Sequence, residues 1–130
     1  MPPRNQPRLG DLELHIMNAL WERGPSTVRE VLEALPLRPR PAYTTVLTMM
    51  RIMQDKGYLT RSEKARAHVY QARLSEQPIK RGLLRKLVHG VFRGSTEAVL
   101  VGLLREEKLS REELGRVREL IEEMEREETR

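Results

Sequence analysis

Apolar residues recur at helical spacing three times before residue 57, then at a spacing of two, then at helical spacing again to the end. Gly10-Asp11 opens the first segment. Leu12, Ile16, Ala19 and Leu20 share one face, flanked by Leu9, Met17 and Trp21, and Gly24-Pro25 ends it. A second helix is predicted directly after. Thr27 is its cap, Glu30 stands at capping-box spacing, and Val28, Val31, Leu32 and Leu35 form its buried face. Pro36, Pro39 and Pro41 stiffen a basic loop. The third helix is predicted over Tyr43–Lys56, with Val46, Met49, Met50 and Met53 on its core side and Gly57 as its stop.

After Gly57, Tyr58–Arg61 reads as a strand, Ser62–Ala67 as a basic turn and His68–Ala72 as the returning strand. A lone hairpin is marginal in water, so it needs the helices behind it. From Ser75 onward the pattern is helical. The fourth helix carries Ile79, Leu83, Leu84, Leu87 and Val88 and is expected to fray or kink at Gly90. The fifth runs from about Thr96 to Arg105 under a Ser95 cap. The sixth starts at Ser110, with Glu113 completing a capping box, and presents Leu114, Val117, Leu120, Ile121 and Met124.

The predicted fold class is therefore mainly α with a small β-hairpin: a winged helix-turn-helix followed by a C-terminal helical dimerisation region. The expected division is a flexible basic arm at 1–8, a DNA-binding domain at 9–74 and a dimerisation domain at 75–127. Charge supports that division. Residues 1–74 hold 12 Lys and Arg against 7 Asp and Glu, whereas residues 75–130 hold 12 of each. A positive first half suits a polyanion.

The third helix carries the candidate chemistry. At about 100° per residue, Thr44, Thr48 and Arg51 fall on one polar stripe opposite the methionine face, with Thr45 at its edge. Small hydroxyl side chains admit close approach to a major groove, where a hydroxyl meets a base edge and a methyl meets a thymine methyl. Threonine is a poor helix former, so three on one short helix suggest another demand. Tyr43 has two open readings, against sugar-phosphate or in a local apolar gap. Lys64 and Arg66 at the hairpin tip, with Arg61 beside them, suit phosphate contact, and Arg38 and Arg40 in the loop have the same reading.

In the second half, Ala98, Val99, Leu100, Val101, Leu103 and Leu104 nearly encircle the fifth helix, which must then be covered all round. Three short helices cannot easily enclose it within one chain, and a single-chain tail folded back on the first domain is the competing reading. A second copy can, through Leu83, Leu87, Val91, Ala98, Val99, Val101, Leu103, Leu104, Leu114, Val117, Ile121 and Met124.

Enzymatic chemistry is not expected. His15, His68 and His89 fall on separate elements without metal-ligand spacing; His68 is expected to help fill the wing and His15 to be partly exposed. No glycine-rich phosphate loop occurs. The absence of cysteine removes thiolate and disulfide chemistry. No cofactor or metal is expected. The longest apolar run, Ala98–Val101, is too short to span a bilayer, and residues 1–8 do not resemble a signal peptide, so the expected compartment is the cytoplasm.

Several stretches together resemble the penicillinase-repressor-like BlaI/MecI/CopY family. They are Leu9-Gly10-Asp11-Leu12-Glu13 with Ile16–Trp21, Thr27–Val31, Ala42–Arg51 with Lys56-Gly57-Tyr58-Leu59, and Arg66–Tyr70. The resemblance covers roughly residues 9–126. It implies a cytoplasmic homodimeric repressor that binds a dyad-symmetric operator, with Thr45 and Thr48 at the family's recognition positions and Thr44 where some relatives carry a longer polar residue. It also implies a sensor or protease partner, here of unknown identity. The family's Asn-Phe cleavage point corresponds to Gly102-Leu103, a departure that puts that cleavage in doubt. The copper-responsive relatives' cysteine motif is missing, so their metal switch cannot operate here. Activation from the same DNA contacts, and a winged-helix module that binds protein instead of DNA, remain the competing readings.

Overall fold

The computed structural model describes residues 7–64 and 66–130. Among them the order is α1 (Asp11–Arg23), α2 (Val28–Ala34), α3 (Tyr43–Asp55), β1 (Leu59–Lys64), β2 (Ala67–Ala72), α4 (Glu76–Lys86), a π-helical turn (Leu87–Val91), α5 (Thr96–Glu106) and α6 (Arg111–Glu128). The chain is mostly helical with one small antiparallel hairpin, an arrangement consistent with a winged helix-turn-helix. The basic arm expected over residues 1–8 lies, apart from residues 7 and 8, outside the described residues. Two compact units divide the chain, one ending at Leu83 and one beginning at Leu84.

The first unit is built around an aliphatic core. Ile16, Met17 and Leu20 of α1, Val31 of α2, Val46, Met50 and Met53 of α3, and Leu59 and Tyr70 of the hairpin all lie within it. Fully burying one such side chain stabilises by about 1.5–3 kcal/mol, which is how a hairpin marginal alone holds its place.

Local chemistry sets the helix ends. Thr27 Oγ1 accepts from the Glu30 N–H at 3.2 Å, while Glu30 Oε1 accepts from the Thr27 N–H at 2.9 Å. At α1, Gly10 has no side chain to offer, but its N–H donates to Glu13 Oε1 at 3.0 Å. Gly57 takes φ 84°, the left-handed region that a β-carbon disfavours. It turns the chain from α3 straight into the wing: the Tyr58 N–H donates to Met53 O at 2.9 Å.

Leu59 pairs with Ala72, Arg61 with Tyr70, Glu63 with His68 and Lys64 with Ala67. The turn is thus shorter than the expected Ser62–Ala67, because Ser62 and Glu63 hold the ladder through their backbones, which needs no apolar alternation. Two further bonds anchor the hairpin root. The Ser26 N–H donates to Tyr70 O at 2.9 Å and the Tyr70 N–H to Ser26 O at 2.8 Å. Trp21 Nε1 donates to Leu74 O at 2.8 Å.

In the second unit the expected kink at Gly90 takes the form of the π-helical turn. Phe92 donates to Leu87 O at 3.2 Å and Gly94 to Val88 O at 2.8 Å. Ser95 caps α5 and Ser110 caps α6, the latter with Glu113 in a reciprocal box. Val88 and Val99 are the buried apolar side chains of this unit, and no residue of α6 is buried. No single helix among the described residues is long and apolar enough to cross a membrane.

Candidate nucleic-acid interface

α3 begins at Tyr43 without a side-chain cap and without an acidic residue in its first turn. Val46, Met50 and Met53 anchor its inner face, which leaves Thr44, Thr45, Thr48 and Arg51 exposed. Thr44, Thr45 and Thr48 line a shallow, open depression of ≈ 340 Å³ together with Met49 and Ile52. Arg51 is exposed but outside that lining. α3 packs against α2 and β1, so its outer face and the wing belong to one scaffold.

The far end of α3 is tied to α1 by a charge pair. Glu13, only 8% exposed, accepts from Lys56 Nζ at 3.3 Å through Oε2 while Oε1 holds the Gly10 N–H. Burial of a carboxylate is tolerated where both oxygens are occupied. This link joins the start of α1 to the residue that ends α3.

Arg61 and Lys64 stand exposed on β1, and Arg66 at the hairpin tip adopts φ 68°. None of Arg40, Arg51, Arg61, Lys64 and Arg66 forms an ion pair with a described residue. Arg38 differs from them. Its Nη1 donates to Leu37 O at 2.7 Å and Leu35 O at 3.2 Å, so it braces the loop after α2. His68 does not fill the wing as expected; it is exposed and faces Glu63 across the strands, Nε2 to Oε1 at 3.3 Å. The position opposite an acidic side chain at a protruding tip leaves no apolar space for it.

Tyr43 is 40% exposed, and the Arg29 guanidinium lies over its ring, 5.2 Å from the centroid. Sequence reasoning missed Arg29, since a contact between α2 and α3 leaves no local spacing signal. It also missed Ile52. That residue lies four positions beyond Thr48 and seven beyond Thr45, a placement that could have flagged it.

Of the residues expected to form a dimer contact, Leu87, Val91, Ala98, Val101, Leu103, Leu104, Leu114, Val117, Ile121 and Met124 are exposed. Leu83 is half-buried, and Val99 is already covered within its own chain at 5% exposure.

Among the described residues no three His, Asp or Glu side chains converge as a metal site. A hairpin-flanked helix with exposed hydroxyls and an aliphatic core behind it is consistent with a winged helix-turn-helix and, together with the family match that follows, supports a DNA-binding regulator of transcription. The penicillinase repressor family model matches residues 9–123, and the chain belongs to that family. It is 36% identical to the transcriptional regulator BlaI of Mycobacterium tuberculosis over 120 residues, 91% of this chain and 86% of that one. It is also similar to the penicillinase repressor of Bacillus licheniformis, at 23% identity over 90% and 91% of the two chains. The methicillin resistance regulatory protein MecI of Staphylococcus aureus is 19% identical over 87% and 92%.

Proposed function

We propose that the protein is a cytoplasmic homodimeric repressor that occupies a dyad-symmetric operator. In this reading residues 9–74 bind DNA and residues 75–127 join two copies. The observation that carries it is the exposed hydroxyl face of α3 beside a basic hairpin whose Arg61, Lys64 and Arg66 have no ion partner among the described residues. Thr44, Thr45 and Thr48 enter the major groove, Arg51 and Tyr43 flank them, and Arg61, Lys64 and Arg66 meet the adjacent backbone. Arg40 reaches phosphate from the loop, and Arg38 acts chiefly by holding that loop in shape.

Dimerisation is supported by the second unit. Leu114, Val117, Ile121 and Met124 recur at the three-four spacing of a coiled-coil seam, yet all are exposed. Val91 is 67% exposed and Leu100 53%. An 18-residue helix with no buried side chain gains its stability from packing, and a second copy supplies an identical seam.

Genome-wide capture of bound DNA, mapped against transcription starts, tests the assignment. Sites overlapping promoters, with transcripts that rise when the gene is deleted, are expected. Sites upstream of promoters whose transcripts fall would show activation. Replacing Thr48 with Ala should weaken binding to captured sites about tenfold and leave random DNA little changed. Equal losses on both would remove Thr48 from base reading.

A further inference from the structure

Tyr43 and Ile52 are the two large apolar side chains left exposed among the described residues of the first unit, and both stand on α3. Every other large apolar residue there is buried or half-buried. Tyr43 is accounted for by the Arg29 guanidinium over its ring. Ile52, 41% exposed, has no such cover. It lies in the shallow depression with Thr44, Thr45, Thr48 and Met49, so the threonine methyls, the thioether and the isoleucine make its walls largely apolar.

The major-groove edge of duplex DNA offers donors, acceptors and a single kind of apolar group, the C5-methyl of thymine. An apolar depression on a groove-facing helix therefore matches one base and no other. We propose that Ile52, with Met49 lining the same depression, is a specificity-determining residue that receives a thymine methyl in each half-site. The proposal rests on α3 entering the major groove and adds which base its apolar part selects. Thr45 and Thr48 remain free to bond the polar edge of the same or the neighbouring pair, while Ile52 excludes water from the methyl.

The test uses the full chain and a duplex it selects from a random-sequence pool. Each thymine of the half-site is replaced singly, in both halves, by deoxyuridine, which removes the methyl and leaves the base pair. Burying one methyl is worth about 0.8 kcal/mol, or about fourfold in affinity for each half-site. One position is expected to show about a fifteenfold loss when both halves are changed. In Ile52→Ala that thymine-over-uracil preference should shrink to about twofold or less, with the salt dependence unchanged. Ile52→Val should retain most of it. Thermal melts of both variants should match the parent, because the side chain lies outside the core. Failure to select any duplex would refute groove reading itself. Selection of a duplex with no uracil-sensitive position, or with equal uracil sensitivity in the parent and Ile52→Ala, would overturn the role of Ile52 alone.

Discussion

Replacing Lys56 with Met tests whether the link between α1 and α3 holds the proposed reading helix in place. The Glu13 side chain is 11% exposed and that of Lys56 45%. A fully exposed pair contributes about 0–1 kcal/mol, whereas stripping the partner from a fully buried one costs about 3–5 kcal/mol. Glu13 keeps the Gly10 N–H in the variant, and Lys56 is already half in water, so the loss belongs near the lower bound, at about 1–1.5 kcal/mol. For a unit of this size that lowers Tm by roughly 5–10 °C. Lys56 also lies 5.7 Å from the Tyr58 ring centroid, a cation–π contact worth about 0.5 kcal/mol. A double-mutant cycle with Glu13→Gln, which retains an oxygen for Gly10, isolates the charge pair. The assay is urea and thermal unfolding at one protomer concentration, since association adds to apparent stability. A coupling of about 1 kcal/mol is expected; a coupling below about 0.3 kcal/mol refutes the argument that this pair fixes α3.

Other consequences concern the wing, the core and pH. Removing Lys64 and Arg66 together should reduce the salt dependence of binding by about 0.9 per phosphate contact, or about 3.6 for a dimer losing four; an unchanged slope would place the tip away from DNA. Arg66→Gly should weaken binding yet stabilise the fold by about 1 kcal/mol, because φ 68° suits glycine; a lower Tm would contradict that. The Tyr70 hydroxyl is buried without a partner among the described residues, so Tyr70→Phe should be neutral or stabilising by up to about 1 kcal/mol, and a clear loss in urea unfolding would reveal a missing bond. Backbone N–H groups of Thr27 and Ser110, followed by their hydroxyls, hold the Glu30 and Glu113 carboxyls below their ordinary range. The helix stability they supply is therefore full above that range and disappears as pH falls through the lowered values. Far-UV circular dichroism should show that loss of helix, and it should flatten in Glu30→Gln with Glu113→Gln; a midpoint at or above the ordinary carboxylate value would contradict the sign.

Short-range chemistry was the legible part of this chain. Thr27 with Glu30, and Ser110 with Glu113, announce helix starts because both partners lie within one turn. Gly24 and Gly57 announce stops because each takes a positive φ. The inner face of α3 followed from period alone, and Val46, Met50 and Met53 are fully buried. What escaped were relations across the fold. Glu13 reads as a surface residue of α1 until Lys56, 43 positions on, comes beside it. The Ser26–Tyr70 bridge involves one residue on each side and leaves no pattern. Arg29 meets Tyr43 only once α2 crosses α3. Ile52 is legible in the sequence as an apolar residue on an otherwise polar face, four positions beyond Thr48. The second unit reads incompletely for a different reason: its apolar residues outnumber the places one chain offers to bury them.

In the proposed complex two copies present α3 to successive major grooves of one duplex. Hydroxyl-radical footprinting of the full chain on its selected duplex measures this directly. Two equivalent protected patches about one helical turn or a whole multiple apart, related by a dyad and appearing at the same protein concentration, are predicted. A single unsymmetrical patch, or protection that spreads evenly along any sequence, would contradict it.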